Sequence, residues 1–276
     1  MLPAALAASP SPTSPPTPRR LGRFNGRGLC TLARKEIGRF MSIALETVLA
    51  PTVVVLLFFV VFDRAFGGEN KTTLGIPFML FLAPGLIMMA VAQNAFMNTS
   101  SSLILSKLHG NIVDILMAPL SPFEFTLGYA LGGLARGVAV GGVALLVMTF
   151  VAHLPYAAPG FLVFHLVMGS LLVALLGLLS GIAFGGFEQI AAVQSFVITP
   201  ATFLSGTFYT LEQLPETWRT VCLFNPFFYM IDGFRYGLTG VADGPLGVGM
   251  VVITGLDLAL FALAYVLVAR GYKLKT

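Results

Sequence analysis

The stretch LFNPFFYMIDGFRYG (223–237) holds Asp232 and Arg235 three positions apart among six aromatic residues. On a helix such a pair lies on one face and can join as an ion pair. Elsewhere Arg136 and Asp257 each stand alone inside long apolar runs, with Glu46 and Glu188 at run edges. A lone charge at the bilayer centre costs at least about 2.5 kcal/mol. Arg136 and Asp257 therefore either pair with each other, or Arg136 snorkels to the headgroups. Intramembrane carboxylates also serve proton or ion coupling. Asp257 with Glu46 is the minimal set for an ion-coupled carrier.

Other chemistry is missing from the sequence. None of the five lysines follows a glycine, so the phosphate-binding GxxxxGK[ST] does not occur. HExxH and GxSxG are absent, and His109, His153 and His165 are scattered. Cys30 and Cys222 belong to no CxxC or Cys/His cluster, which argues against a zinc site. The chain is expected to carry no catalytic residue, no metal and no bound cofactor of its own.

Composition dictates what positions these charges. Of 276 residues, 57% are hydrophobic and only 10% charged, against about 25% charged in soluble domains. Mean hydropathy is +0.89. A core of this size cannot hide so much apolar surface from water, so lipid is the solvent. The apolar runs are long and unbroken, unlike the short alternating strands of an outer-membrane barrel. The expected fold class is an all-α integral membrane protein.

Crossings are expected at about 43–62, 72–106, two within 125–187 broken by HLPYAAPG (153–160), 189–211 and 244–269, six in all. Residues 1–27 read as a disordered cytoplasmic tail rich in Ala, Ser and Pro. Within CTLARKEIGRFMS (30–42), Leu32, Ile37, Phe40 and Met41 fall near one helical face and Arg34, Lys35 and Arg39 elsewhere. That is a basic amphipathic helix suited to a membrane surface. Eleven Lys and Arg fall on the side of the termini and four on the other. The positive-inside rule then places both termini in the cytoplasm. Two connectors are long, about 103–124 on the cytoplasmic side and 212–243 on the external side.

The run LPETWRTVCLFNPFFYMIDGFR (214–235) resembles the signature of permease subunits of bacterial type-2 ATP-binding-cassette exporters. KLHGNIVDILMAPLSPFEFTLGYALGGLARG (107–137) and SFVITPATFLSGTFYTLEQLP (195–215) are similar to the same family, nearest its small six-span permeases of unassigned substrate. The likeness runs from about residue 28 onward, so 28–276 reads as one transmembrane domain.

The resemblance implies a half-transporter in the bacterial inner (cytoplasmic) membrane. A second, identical permease protomer would complete it, with two copies of a soluble ATPase holding ATP and Mg. It assigns ATPase coupling to Lys107, His109, Asn111, Asp114, Ile115 and Leu116, with Arg34 and Lys35 on the basic helix. It makes 212–243 a short external re-entrant helical segment, with Pro226, Tyr229, Asp232 and Arg235 as signature and external gate. Phe227, Phe228, Tyr229 and Phe234 would sink into the outer leaflet. The pathway would run between protomers, lined by Met89, Gln93, Asn94, Asn98, Gln194, Thr199, Thr202 and Ser205. Amides and hydroxyls amid Phe and Met suit an amphipathic, lipid-linked or glycan substrate. Along the third span, Gly128, Gly132, Gly133, Gly137, Gly141 and Gly142 allow close helix approach, more simply within one chain than between two.

Overall fold

The computed structural model describes residues 24–66 and 72–274. Most of the expected tail, with Arg19, Arg20 and Arg23, lies outside the described residues, as do Lys71 and Lys275.

Helix α1 (Gly26–Met41) starts where the Asn25 side chain accepts a hydrogen bond from the Gly28 amide at 3.0 Å. Its buried stripe is Leu32, Glu36 and Phe40, one residue per turn. Met41, expected on that face, is exposed, and Ile37 is half-buried. The stripe is set by a neighbouring helix, whose Gly128 and Gly132 are where Leu32 and Glu36 come to rest. A wide π-helical turn (Leu45–Leu49) leads into α2 (Ala50–Phe66).

A two-residue β hairpin follows, β1 (Thr72–Thr73) pairing with β2 (Ile76–Pro77) in the register Thr72 to Pro77 and Thr73 to Ile76. Its turn residues Leu74 and Gly75 both have positive φ (51° and 78°), the demand of a tight hairpin. Among the described residues the fold is helical apart from this ladder.

Helix α3 (Phe78–Leu108) is the axis of the molecule: Phe81, Leu82, Ile87, Met88, Phe96, Leu103 and Ile104 are fully buried along it. The short α4 (Ile112–Met117) leads to α5 (Pro122–Ala152), which opens with a complete capping box. There Glu124 N–H donates to Ser121 Oγ at 3.3 Å and Ser121 N–H to Glu124 Oε2 at 2.7 Å. Helix α6 (Pro159–Ala183) completes a tight triad with α3 and α5. In that triad Gly133 abuts Ala174 and Thr99, Gly137 abuts Ser170, and Gly177 meets the Phe96 carbonyl. Thr99 Oγ1 donates to the Ala174 carbonyl at 2.7 Å. Most of the glycine repeat therefore serves intrachain packing, although Gly142 faces open space.

The expected fifth span is shorter and irregular. Helix α7 (Phe187–Val193), a π-helical turn (Gln194–Ile198) and α8 (Thr199–Phe203) run end to end and stop at Phe203, not Leu211. A 3-10 turn (Leu211–Gln213), α9 (Glu216–Phe224), α10 (Pro226–Thr239) and α11 (Leu246–Ala269) follow. Among the described residues, five helices are long and apolar enough to cross a membrane: Leu45–Ala65, Phe78–Leu108, Pro122–Ala152, Pro159–Ala183 and Leu246–Ala269.

Candidate functional site

At one end of the bundle α10 is locked into the protein. Asn225 caps it, accepting from the Phe227 amide at 3.1 Å while its Nδ2 donates to the Ala201 carbonyl at 2.6 Å, and Pro226 occupies the first turn. Arg235 is fully buried. Its Nη1 donates to Asp232 Oδ1 at 3.4 Å, Nη2 to the Gly206 carbonyl at 2.5 Å and Nε to the Phe81 carbonyl at 3.3 Å. The guanidinium carbon also lies 3.9 Å from the centre of the Phe81 ring.

Asp232 accepts from the Asp243 amide at 2.8 Å and the Gly244 amide at 3.0 Å, and Asp243 Oδ2 accepts from the Leu211 amide at 2.6 Å. Burial raises the Asp243 carboxyl above the usual carboxylate range. One ion pair thus joins the start of α3, the loop after α8, the 3-10 turn and the α10–α11 loop. Phe227, Phe228, Tyr229 and Phe234 are buried in protein, not in the outer leaflet. The reason is that α10 packs along α6 and α11, with Gly233 against the His165 ring, Gly237 against Leu162 and Tyr229 against Gly249.

The opposite end carries α1, α4 and the tips of α3, α5 and α6. Leu32, Ile112, Phe125 and Tyr129 share one buried cluster there, and Asn25 Nδ2 donates to the Pro119 carbonyl at 3.0 Å. The coupling residues expected from sequence divide. His109, Asn111, Asp114, Arg34 and Lys35 are exposed. Lys107 is not: its ammonium turns inward and donates to the carbonyls of Gly181 (2.8 Å), Ile182 (2.9 Å) and Phe184 (3.1 Å), capping α6. Ile115 and Leu116 face the buried cluster. The outward apolar side chains of α4 are Met117 (79% exposed) and Val113 (50%). Val113 is absent from the sequence-level selection, because a six-residue helix between two spans does not reveal which flank is covered.

Between the ends, the structure does not bring Arg136 and Asp257 together. Arg136 Nη2 donates to Asn94 Oδ1 at 2.9 Å, while Asp257 is buried with neither oxygen hydrogen-bonded among the described residues. A polar layer missed from sequence lies at the α1–α3–α5 junction. Arg39 Nη2 donates to the Asn98 carbonyl (2.7 Å) and Oδ1 (2.9 Å), and Arg39 Nε lies 3.6 Å from buried Glu36. Glu36 and Arg39 have the i, i+3 spacing of a helical pair, but Asn98 is far from them in the chain, so no local pattern announces its part.

A groove of about 440 Å³ opens between α2 and α3, closed on one side by Phe203. Met89, Gln93 and Asn94, selected from sequence as pathway lining, line it, as does Glu46. Asn98 does not, being bound to Arg39. Thr202 and Ser205 are buried and donate to backbone carbonyls of Thr199 and Thr202. Gln194 and Thr199 are half-buried and lie off the groove.

A helical bundle with a lateral groove, a buried ion-pair lock at one end and an exposed basic and apolar surface at the other fits a membrane transport subunit. The family model for ABC-2 type transporters matches residues 27–239, and the chain belongs to that family. It is thus the membrane part of an ATP-binding-cassette transporter, a transport subunit rather than an enzyme. It is 37% identical over 242 residues to the inner membrane transport permease YadH of Escherichia coli K12, covering 88% of this chain and 94% of that protein. The YadH proteins of Escherichia coli O157:H7 and Shigella flexneri match over the same shares.

Proposed function

We propose that this chain is one of two identical permease protomers of an exporter in the bacterial inner membrane, driven by two copies of a separate ATPase that hold ATP and Mg. The substrate is amphipathic, lipid-linked or glycan in character and passes along the α2–α3 groove. In this reading the 187–203 run is a sixth crossing, since 17 residues lie at the lower limit of about 17–25 for a spanning helix. Both termini face the cytoplasm, α1 lies at that interface, and α9 with α10 forms the external re-entrant segment. Asp232 and Arg235, with Pro226 and Tyr229, hold the external gate shut until ATP binds.

The observation that carries this reading is the surface at the basic end. Met117 and Val113 project beside exposed His109, Asn111 and Asp114, in a chain without a phosphate-binding loop. Arg34 and Lys35 of α1 lie at the same end. Affinity purification from native membranes, comparing wild type with Met117→Asp, tests it. The expected result is a co-purifying ATPase that is lost from the variant while the permease stays folded. A variant that keeps its ATPase would remove α4 from the docking surface.

A further inference from the structure

We propose that the α2–α3 groove binds a cationic amphiphile, an apolar body carrying an amine or quaternary ammonium head, with Glu46 as the counter-charge. The inference rests on the permease reading and narrows its substrate class.

Helix geometry sets the groove's polarity. Glu46, Ala50, Val54 and Phe58 recur every four residues along one face, and α3 runs antiparallel beside them with Asn94, Gln93, Ala90 and Leu86. Glu46 therefore lies toward the amide end of the groove and Phe58 toward its Leu86 end. Twelve residues at about 1.5 Å each separate Glu46 from Phe58, roughly 18 Å, the length of an amphiphile. One end is polar and the other apolar, with Phe203 as a side wall.

The charge at the polar end is uncompensated. Glu46 is exposed to the groove from the π-helical turn, a distortion that recurs at functional sites. Among the described residues it makes no ion pair. Arg39 is held by Glu36 and Asn98, whereas Arg136 makes no ion pair among the described residues and donates to Asn94 Oδ1 from outside the lining. Asn94 has one of its two amide N–H groups on the Ala90 carbonyl at 2.9 Å and its Oδ1 on Arg136. Gln93 keeps a free amide for the head group. An anionic head would meet Glu46 with no cation among the lining residues to offset it.

The test uses the full chain in nanodiscs of uncharged digalactosyldiacylglycerol, whose head carries no amine, titrated with dansyl-tagged dodecyltrimethylammonium and, separately, dansyl-tagged dodecyl maltoside. Wild type should prefer the cationic probe. Glu46→Gln should lose roughly tenfold in affinity for it, the scale of one charge-assisted contact, with the maltoside unchanged. Glu46→Asp should keep the preference. Equal wild-type affinity for both probes, or an equal loss for both in Glu46→Gln, would overturn the proposal.

A second measurement leaves Glu46 intact. In Ala50→Cys with Cys30→Ser, the cationic probe should slow maleimide labelling of position 50 more than the maltoside does; equal rates would also overturn it. Neither assay contains an ATPase, so failure here leaves the subunit reading standing, and co-purification tests that separately.

Discussion

Arg235 is fully buried, with three protein acceptors and one ring around it. Breaking a buried ion pair by removing one partner costs about 3–5 kcal/mol. Arg235→Ala and Asp232→Ala should each lower the thermal midpoint strongly, and the double variant should lose less than the sum. Strict additivity in a double-mutant cycle would contradict the lock. The cysteines give a second residue-scale expectation. Cys30 is exposed, whereas Cys222 is buried, donates to the Leu204 carbonyl at 3.3 Å, and burial pushes its thiol up to about 11. At pH 9 Cys222 stays protonated, so iodoacetamide followed by mass spectrometry should label Cys30 and leave Cys222 bare until denaturation. The Asp232–Arg235 contact was legible in the i, i+3 spacing. Its burial was not, because an aromatic cluster reads the same whether lipid or protein covers it. Lys107 shows the same ambiguity: a lysine just past a span reads as a solvent contact, and only the α6 carbonyls show otherwise.

At the scale of elements, helix crossings that depend on glycine should fail on small additions. A Cβ at position 233 would come within 2.0 Å of His165 Nε2, so Gly233→Ala should destabilise the α6–α10 contact by roughly 1–3 kcal/mol. Gly142→Ala, which meets nothing within 4 Å, is the control and should leave stability unchanged in the same thermal melt. Two substitutions on α4 distinguish folding from the proposed docking. Ile115→Asp puts a charge against the Leu32–Ile112 cluster and should lower expression and melting temperature, whereas Met117→Asp should melt like wild type. Five long helices were readable because uninterrupted hydropathy is a strong signal. The π-helical turns at 45–49 and 194–198 and the early stop at Phe203 were not, since hydropathy counts residues and says nothing about helical pitch. The inward face of α1 was misjudged by hydrophobicity alone: Glu36 is buried because glycines of α5 leave room for it and Lys35 and Arg39 flank it.

As a whole, the molecule is unequal at its two ends. One is tied by the Arg235 network, the other presents α1 and α4 outward, and α3 runs between them. Arg39–Asn98 and Arg136–Asn94 are the side-chain bridges from α1 and α5 onto that helix. The central claim is the proposal that a separate ATPase drives this subunit, in keeping with its family. The most direct measurement is native mass spectrometry of the complex purified gently from its own membranes. The expected mass is two chains of 29.3 kDa with two copies of a soluble protein that carries GxxxxGK[ST]. Finding the chain alone, together with gradient-driven uptake in liposomes that is lost in Asp257→Asn, would contradict the account and make it an ion-coupled carrier.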